Sequence, residues 1–136
     1  MAKFGIYVIF WRKKVLRVGE SKSGKTRLKK GFCERLYKRL RGKKRKNYIA
    51  FAWRAKYRQK RLIVDYFELT ATSFACDHYR RALEAELTFQ FRIARKQWPS
   101  EMSEIHFLER YRTKSVLIQT AAAILTHYGI TYDKEV

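Results

Sequence analysis

Negative charge, cysteine and proline are all scarce in this sequence. Its 136 residues include 12 Asp and Glu, two Cys and one Pro, and this length suits one domain with a packed core. Cys33 and Cys76 form no CxxC pair, and there is no N-terminal apolar leader, so we expect reduced thiols in a cytosolic protein. No apolar run approaches the roughly 18 residues of a membrane span, so no membrane partner is expected.

Positive charge is abundant, and it is confined to one half of the chain. Lys and Arg number 32, for a net charge of +20. Residues 1–61 contain 23 of them and two acids, a net of +21, whereas residues 62–136 contain nine and ten acids. Such segregation indicates a surface that meets a polyanion, and a phosphate backbone is favoured because counterion release drives association. A solvated charge run without a partner is the alternative, but its self-repulsion would have nothing to offset it.

The hydrophobic pattern predicts the element order β-β-α-α-β-α-α in a single domain over residues 1–136. Runs rich in β-branched and aromatic residues predict strands at 4–10, 14–18 and 62–69. Helical periodicity predicts helices at 26–46 with an interruption at Gly31, at 48–58, at 77–97, and C-terminally at about 114–128. We therefore expect an α/β fold with a small three-stranded, mainly antiparallel sheet flanked by helices.

One loop satisfies a nucleotide-binding pattern in full. Gly19–Thr26 matches G-x-x-x-x-G-K-[ST], and the LIVD run at 62–65 resembles a strand that ends in an Mg²⁺-binding Asp. A P-loop NTPase needs several parallel strands joined by crossover helices, and only one strand is predicted after this loop. A small P-loop NTPase is therefore the third interpretation.

Five segments occur in the order found in one nuclease family. They are Gly5-Ile6-Tyr7, Arg17-Val18-Gly19, Leu36-x-x-Arg39-Leu40, the stretch 52–57 leading into Phe67-Glu68-Leu69, and Ala82-Leu83-x-x-Glu86. Over residues 5–90 or so the chain thus resembles the GIY-YIG endonuclease superfamily. Its second motif is divergent, with RVG in place of YIG.

This resemblance implies metal-dependent hydrolysis of DNA phosphodiester bonds. It makes Glu86 the ligand of Mg²⁺ (or Mn²⁺), and Tyr7 the residue that positions or deprotonates the attacking water. Arg39 or Arg27 would stabilise charge on the scissile phosphate, since each matches a different part of the family pattern. Arg17 replaces the tyrosine of the second motif, and it could orient the water, bind the phosphate, or mark a loss of the chemistry.

The same residues also have structural interpretations. Glu86 falls on the apolar face of the helix predicted at 77–97, where a carboxylate is costly unless it is paired or holds a metal. A partly buried salt bridge to an arginine would meet that requirement. Tyr7 could equally be a core aromatic residue. A non-catalytic, basic nucleic-acid-binding protein on the same fold is therefore the second interpretation.

The stretch 41–61 mixes cations with aromatic residues that are spaced for a core. The cations predicted to contact nucleic acid, in this stretch and in the preceding loop, are Lys25, Lys43, Lys44, Arg45, Lys46, Arg54 and Arg58. Double-stranded DNA is the expected partner, and a homodimer would allow both strands to be cut. The expected location is the cytoplasm, on the nucleoid or in a host cell if the protein is phage-encoded.

Overall fold

The computed structural model describes residues 4–22, 33–41, 45–52, 55–57, 60–102 and 107–134. They belong to two compact units that divide between Thr70 and Ala71. The first unit contains strands and the second contains helices. The single domain over 1–136 stays a prediction.

The first unit is built on a five-stranded antiparallel sheet. Its strands are β1 (Gly5–Trp11), β2 (Lys14–Ser21), β3 (Cys33–Arg41), β4 (Arg45–Ala52) and β5 (Leu62–Glu68). Their order across the sheet is β2-β1-β5-β4-β3, and each neighbouring pair is antiparallel. Strand β5 therefore pairs with β1 on one side and with β4 on the other.

The α/β class and the antiparallel sheet are confirmed, and the three predicted strands correspond to β1, β2 and β5. The predicted count of three strands is wrong, because β3 and β4 extend the sheet. The helices predicted at 26–46 and 48–58 are wrong at residues 33–41 and 45–52, because these form β3 and β4, whereas Ala55–Tyr57 is a short 3-10 helix. Lys, Arg and Leu favour helices in isolation, but the pairing of β3 with β4 and of β4 with β5 overrides that preference. The short apolar run YIAFA at 48–52 fits a strand as well as a helix.

Tyrosine dominates the core of the first unit. The buried cluster contains Tyr7, Ile9, Leu16, Tyr48, Tyr57, Leu62, Val64 and Tyr66, with Trp11 packed against it. On the opposite face, Ile6 and Val8 are fully buried as well. Burial on both faces explains why β1 is an almost unbroken apolar run rather than an alternating one.

In its described residues the second unit contains three α-helices, α1 (Asp77–Arg95), the short α2 (Glu109–Arg112) and α3 (Ser115–Thr126), and one 3-10 helix, Thr72–Ala75. Helices α1 and α3 confirm the predictions at 77–97 and 114–128 to within a few residues. Leu83, Leu87 and Phe91 recur at four-residue spacing and form the buried face of α1. Within the described ranges, no helix is long and apolar enough to cross a membrane.

Candidate functional site

Tyr7 and Gly19, from the first and second motifs, are directly paired across β1 and β2. A Cβ atom at Gly19 would lie 2.1 Å from Cζ and 2.2 Å from Oη of Tyr7. The tyrosine ring therefore occupies the space above the glycine, and it is only 3% exposed. Residue 19 must lack a side chain for Tyr7 to adopt this position.

A second tyrosine covers the other glycine of the sheet. A Cβ at Gly5 would lie 2.2 Å from both Cζ and Oη of Tyr66, which pairs with Tyr7 across β1 and β5. Burial, together with the smaller effects of the nearby Glu68 and Tyr48, raises the pKa of Tyr66 to about 12. At neutral pH the Tyr66 hydroxyl is therefore protonated and can act as a hydrogen-bond donor, not as a base.

Residues that are directly paired on neighbouring strands form a row across the sheet, and one such row connects these tyrosines with the basic strands. From β2 to β3 the row consists of Gly19, Tyr7, Tyr66, Lys46 and Arg41. The sheet thus aligns a predicted catalytic residue, Tyr7, with a predicted nucleic-acid contact, Lys46. Sequence reasoning missed Tyr66 as a candidate, although its alternation with Val64 and Glu68 in a strand was visible.

Arg17 lies in β2, two residues before Gly19, and pairs with Ile9. Side chains two residues apart in a strand share a face, so Arg17 is on the face that carries Tyr7. Its Nε atom is buried and has no hydrogen-bond partner in the described structure. A buried unsatisfied donor is costly, and an anionic acceptor at this position would remove that cost.

Glu86 lies in the second unit, fully buried on α1. Arg112 donates from Nε to Oε2 at 3.1 Å and from Nη2 to Oε1 at 3.3 Å. Tyr132 donates its hydroxyl to Oε1 at 2.7 Å. Burial raises the pKa of Tyr132, and the hydrogen bond to Glu86 and the charge of Glu86 raise it further. Both oxygens of the carboxylate are thus engaged in a charge-assisted network.

The surroundings of Glu86 suit an ion pair rather than a hydrated Mg²⁺. The Arg112 guanidinium would repel a dication at hydrogen-bonding distance from the carboxylate, and among the described residues no three His, Cys, Asp or Glu form a group that could hold a metal. The salt bridge to an arginine is the structural alternative that the sequence left open. The assignment of Mg²⁺ or Mn²⁺ to Glu86 stays a prediction.

The remaining predicted residues are distributed along the basic segments. Arg39 lies in β3 at an irregularity of the register between Lys38 and Leu40, not on a helix. Arg45 lies in β4, paired with Phe67. Outside the described residues are Arg27, Lys25, Lys43, Lys44, Arg54 and Arg58.

Comparisons with protein-family models, curated proteins and solved structures found no match to this chain. The resemblance to the GIY-YIG superfamily therefore stays a prediction drawn from the motifs.

Replacing Gly19 by Ala is expected to lower the free energy of unfolding by roughly 1–3 kcal/mol, because the new methyl group overlaps the Tyr7 ring. Chemical denaturation measures this change. In a Tyr7→Ala background the ring is gone, so adding Gly19→Ala should cost little. Equal costs in the two backgrounds would show that residues 7 and 19 are not in contact.

Replacing Glu86 by Gln is expected to lower the free energy of unfolding by roughly 2–3 kcal/mol, since Arg112 and Tyr132 lose a charged acceptor. Glu109→Gln is the matched control, because Glu109 approaches the same Arg112 at 3.9 Å but is 78% exposed. The control should change stability by less than about 0.5 kcal/mol. An equally small effect of Glu86→Gln would contradict the buried network.

Proposed function

We propose that the protein binds double-stranded DNA through its first unit and hydrolyses its phosphodiester bonds in a reaction that depends on Mg²⁺ or Mn²⁺. The observation that carries this proposal is the contact between the two motif segments. Tyr7 of the GIY segment contacts Gly19 of the RVG segment, and the two residues are paired across neighbouring strands. The family resemblance implies that these two motifs lie on neighbouring strands.

The distribution of charge supports the binding part of the proposal. Residues 1–70, which form the first unit, carry 23 Lys and Arg against four acids, a net of +19. Residues 71–136 carry nine against eight, a net of +1. The same unit therefore holds the paired motifs and nearly all of the excess charge, as expected where a phosphate backbone is both bound and cut.

The chemistry assigned to the sheet uses groups that are already oriented. Tyr7 would position the attacking water, and its ring is held in place by Gly19. Tyr66, protonated at neutral pH because its pKa is about 12, would donate a hydrogen bond to a phosphate oxygen. The unsatisfied Nε of Arg17 would donate a second. Donors that are fixed before the substrate arrives stabilise developing negative charge without reorganisation.

A non-catalytic DNA-binding protein is the second candidate, and one observation favours it. Glu86, the residue that the resemblance makes a metal ligand, has both oxygens engaged by Arg112 and Tyr132. In a non-catalytic protein the first unit would bind DNA in the same manner but would not cut it.

The geometry of the sheet disagrees with the P-loop interpretation. Gly19 lies within β2 and pairs with Tyr7, whereas a phosphate-binding loop begins after its strand has ended. Asp65 lies in the middle of β5, between Val8 and Asn47, in an antiparallel sheet. Strands of a nucleotide-hydrolysing fold run parallel and carry such an Asp at their end.

Cleavage of supercoiled plasmid tests the proposal. We expect the wild type to nick or linearise the plasmid with Mg²⁺ or Mn²⁺, and EDTA to abolish the reaction. Tyr7→Phe keeps the ring on Gly19 and removes only the hydroxyl, so its cleavage rate should fall by roughly 10²–10⁴-fold while a gel shift shows unchanged DNA binding. Tyr79→Phe, a buried tyrosine of the second unit, is the matched control and should cut at the wild-type rate.

The first of three results would decide against hydrolysis, and the other two would decide against the role assigned to Tyr7. Wild-type protein that binds DNA but cuts nothing with either metal would establish the non-catalytic candidate. Cleavage that survives in Tyr7→Phe would remove Tyr7 from the mechanism. Cleavage lost equally in Tyr79→Phe would indicate a general effect on the fold.

A further inference from the structure

A group of cations surrounds Trp11 at the end of the sheet where β1 turns into β2. The pairing of Phe10 with Ile63 brings this turn beside the segment that precedes β5. We call the group the Trp11 surface, and its cations are Arg12, Lys13, Lys14, Lys56, Lys60 and Arg61. None of them was among the residues for which the sequence predicted contact with nucleic acid.

The two segments that form the Trp11 surface, residues 11–14 and 56–61, contain no acidic residue. No Asp or Glu occurs between residues 5 and 19 or between residues 35 and 64. Five of the six cations are exposed, and Lys60 is half-buried. In the described structure no ion pair involves Arg12, Lys13, Lys14, Lys60 or Arg61. Like charges gathered in this way repel one another, and a bound polyanion relieves the repulsion.

Two of these cations are held in place by an aromatic ring. Nζ of Lys60 lies 4.1 Å from the centroid of the Trp11 ring, and Cζ of Arg12 lies 5.0 Å from it. The ring is half-buried and packs against the tyrosine-rich core, so it is a rigid support. Cation–π contacts of this kind reduce the side-chain freedom that binding would otherwise remove.

We propose that the Trp11 surface binds the phosphodiester backbone of nucleic acid, with Lys60 and Arg12 as preorganised phosphate contacts and the neighbouring cations flanking them. This inference rests on the proposed DNA binding and names a surface for it. Trp11 contacts the core instead of projecting as an apolar anchor, which favours a phosphate backbone over a lipid surface. Trp11 is a positioning residue, since it acts through the two cations.

Binding to a labelled DNA duplex and to the matching single strand, measured by fluorescence anisotropy over a range of salt concentrations, tests the surface. The variant Lys13→Gln/Lys60→Gln/Arg61→Gln is compared with Arg81→Gln/Arg95→Gln/Lys114→Gln, which removes three exposed cations from the second unit. Circular dichroism verifies that both variants fold. If the first variant loses more affinity for the duplex than for the single strand, the surface binds double-stranded DNA, and the reverse result indicates single-stranded DNA.

The surface variant should bind at least tenfold more weakly than the wild type, and the salt slope for the duplex should fall by about 2–3, since each phosphate contact contributes about 0.9. The control should stay within about twofold of the wild type. Trp11→Leu keeps every charge, so it should weaken binding severalfold and leave the salt slope unchanged. Weaker binding with an unchanged salt slope would show that Trp11 positions the cations, because a loss of charge would also lower the slope.

Wild-type affinity and slope in the surface variant would overturn the inference while leaving the proposed function intact. An equal loss in the control variant would overturn it too, because net charge alone would then explain binding. A wild type that binds neither strand form would refute the proposed function itself, and the surface with it. Binding to anionic lipid vesicles in place of DNA would do the same.

Discussion

The two tyrosine–glycine contacts across neighbouring strands are the constraint on which the sheet depends. Tyr7 fills the space above Gly19, and Tyr66 fills the space above Gly5. Because Tyr7 pairs directly with both Gly19 and Tyr66, the contacts fix the register of β2, β1 and β5 together. A slip of one residue would turn each ring to the opposite face, so the pattern specifies one alignment of β2, β1 and β5.

The same register determines which basic residues of the first unit lie beside one another. It continues the row from Tyr66 to Lys46 and Arg41 in the basic strands, and it brings the β1–β2 turn beside Lys60 and Arg61. A unit with a net charge of +19 gains stability from its buried aromatic residues while it tolerates repulsion at its surface. The proposed binding of a polyanionic ligand would relieve that repulsion.

The sequence predicted those elements whose local preference agrees with their final environment. Strands β1, β2 and β5 have β-branched and aromatic runs, and α1 has a clear four-residue apolar spacing, so all four could be predicted. Strand β3 could not, because its Lys, Arg and Leu residues favour a helix and only pairing with β4 makes it a strand. Strand β4 could not either, because its short apolar run fits a helix as well as a strand and only pairing with β5 and β3 decides between them. Glu86 was correctly placed on a buried helix face, but its partners Arg112 and Tyr132 are 26 and 46 residues away. Spacing cannot identify contacts that distant.

The Trp11 surface was missed because its two segments meet only through the pairing of β1 with β5.

An NMR titration of ¹⁵N-labelled protein with a short DNA duplex tests directly whether the first unit binds nucleic acid. Chemical-shift changes should concentrate in the first unit, at residues 11–14, at residues 60 and 61, and along the row that includes Lys46 and Arg41. Amides of α1 and α3 should change little. Changes confined to residues 71–134, with the sheet unaffected, would contradict the assignment of nucleic-acid binding to the first unit.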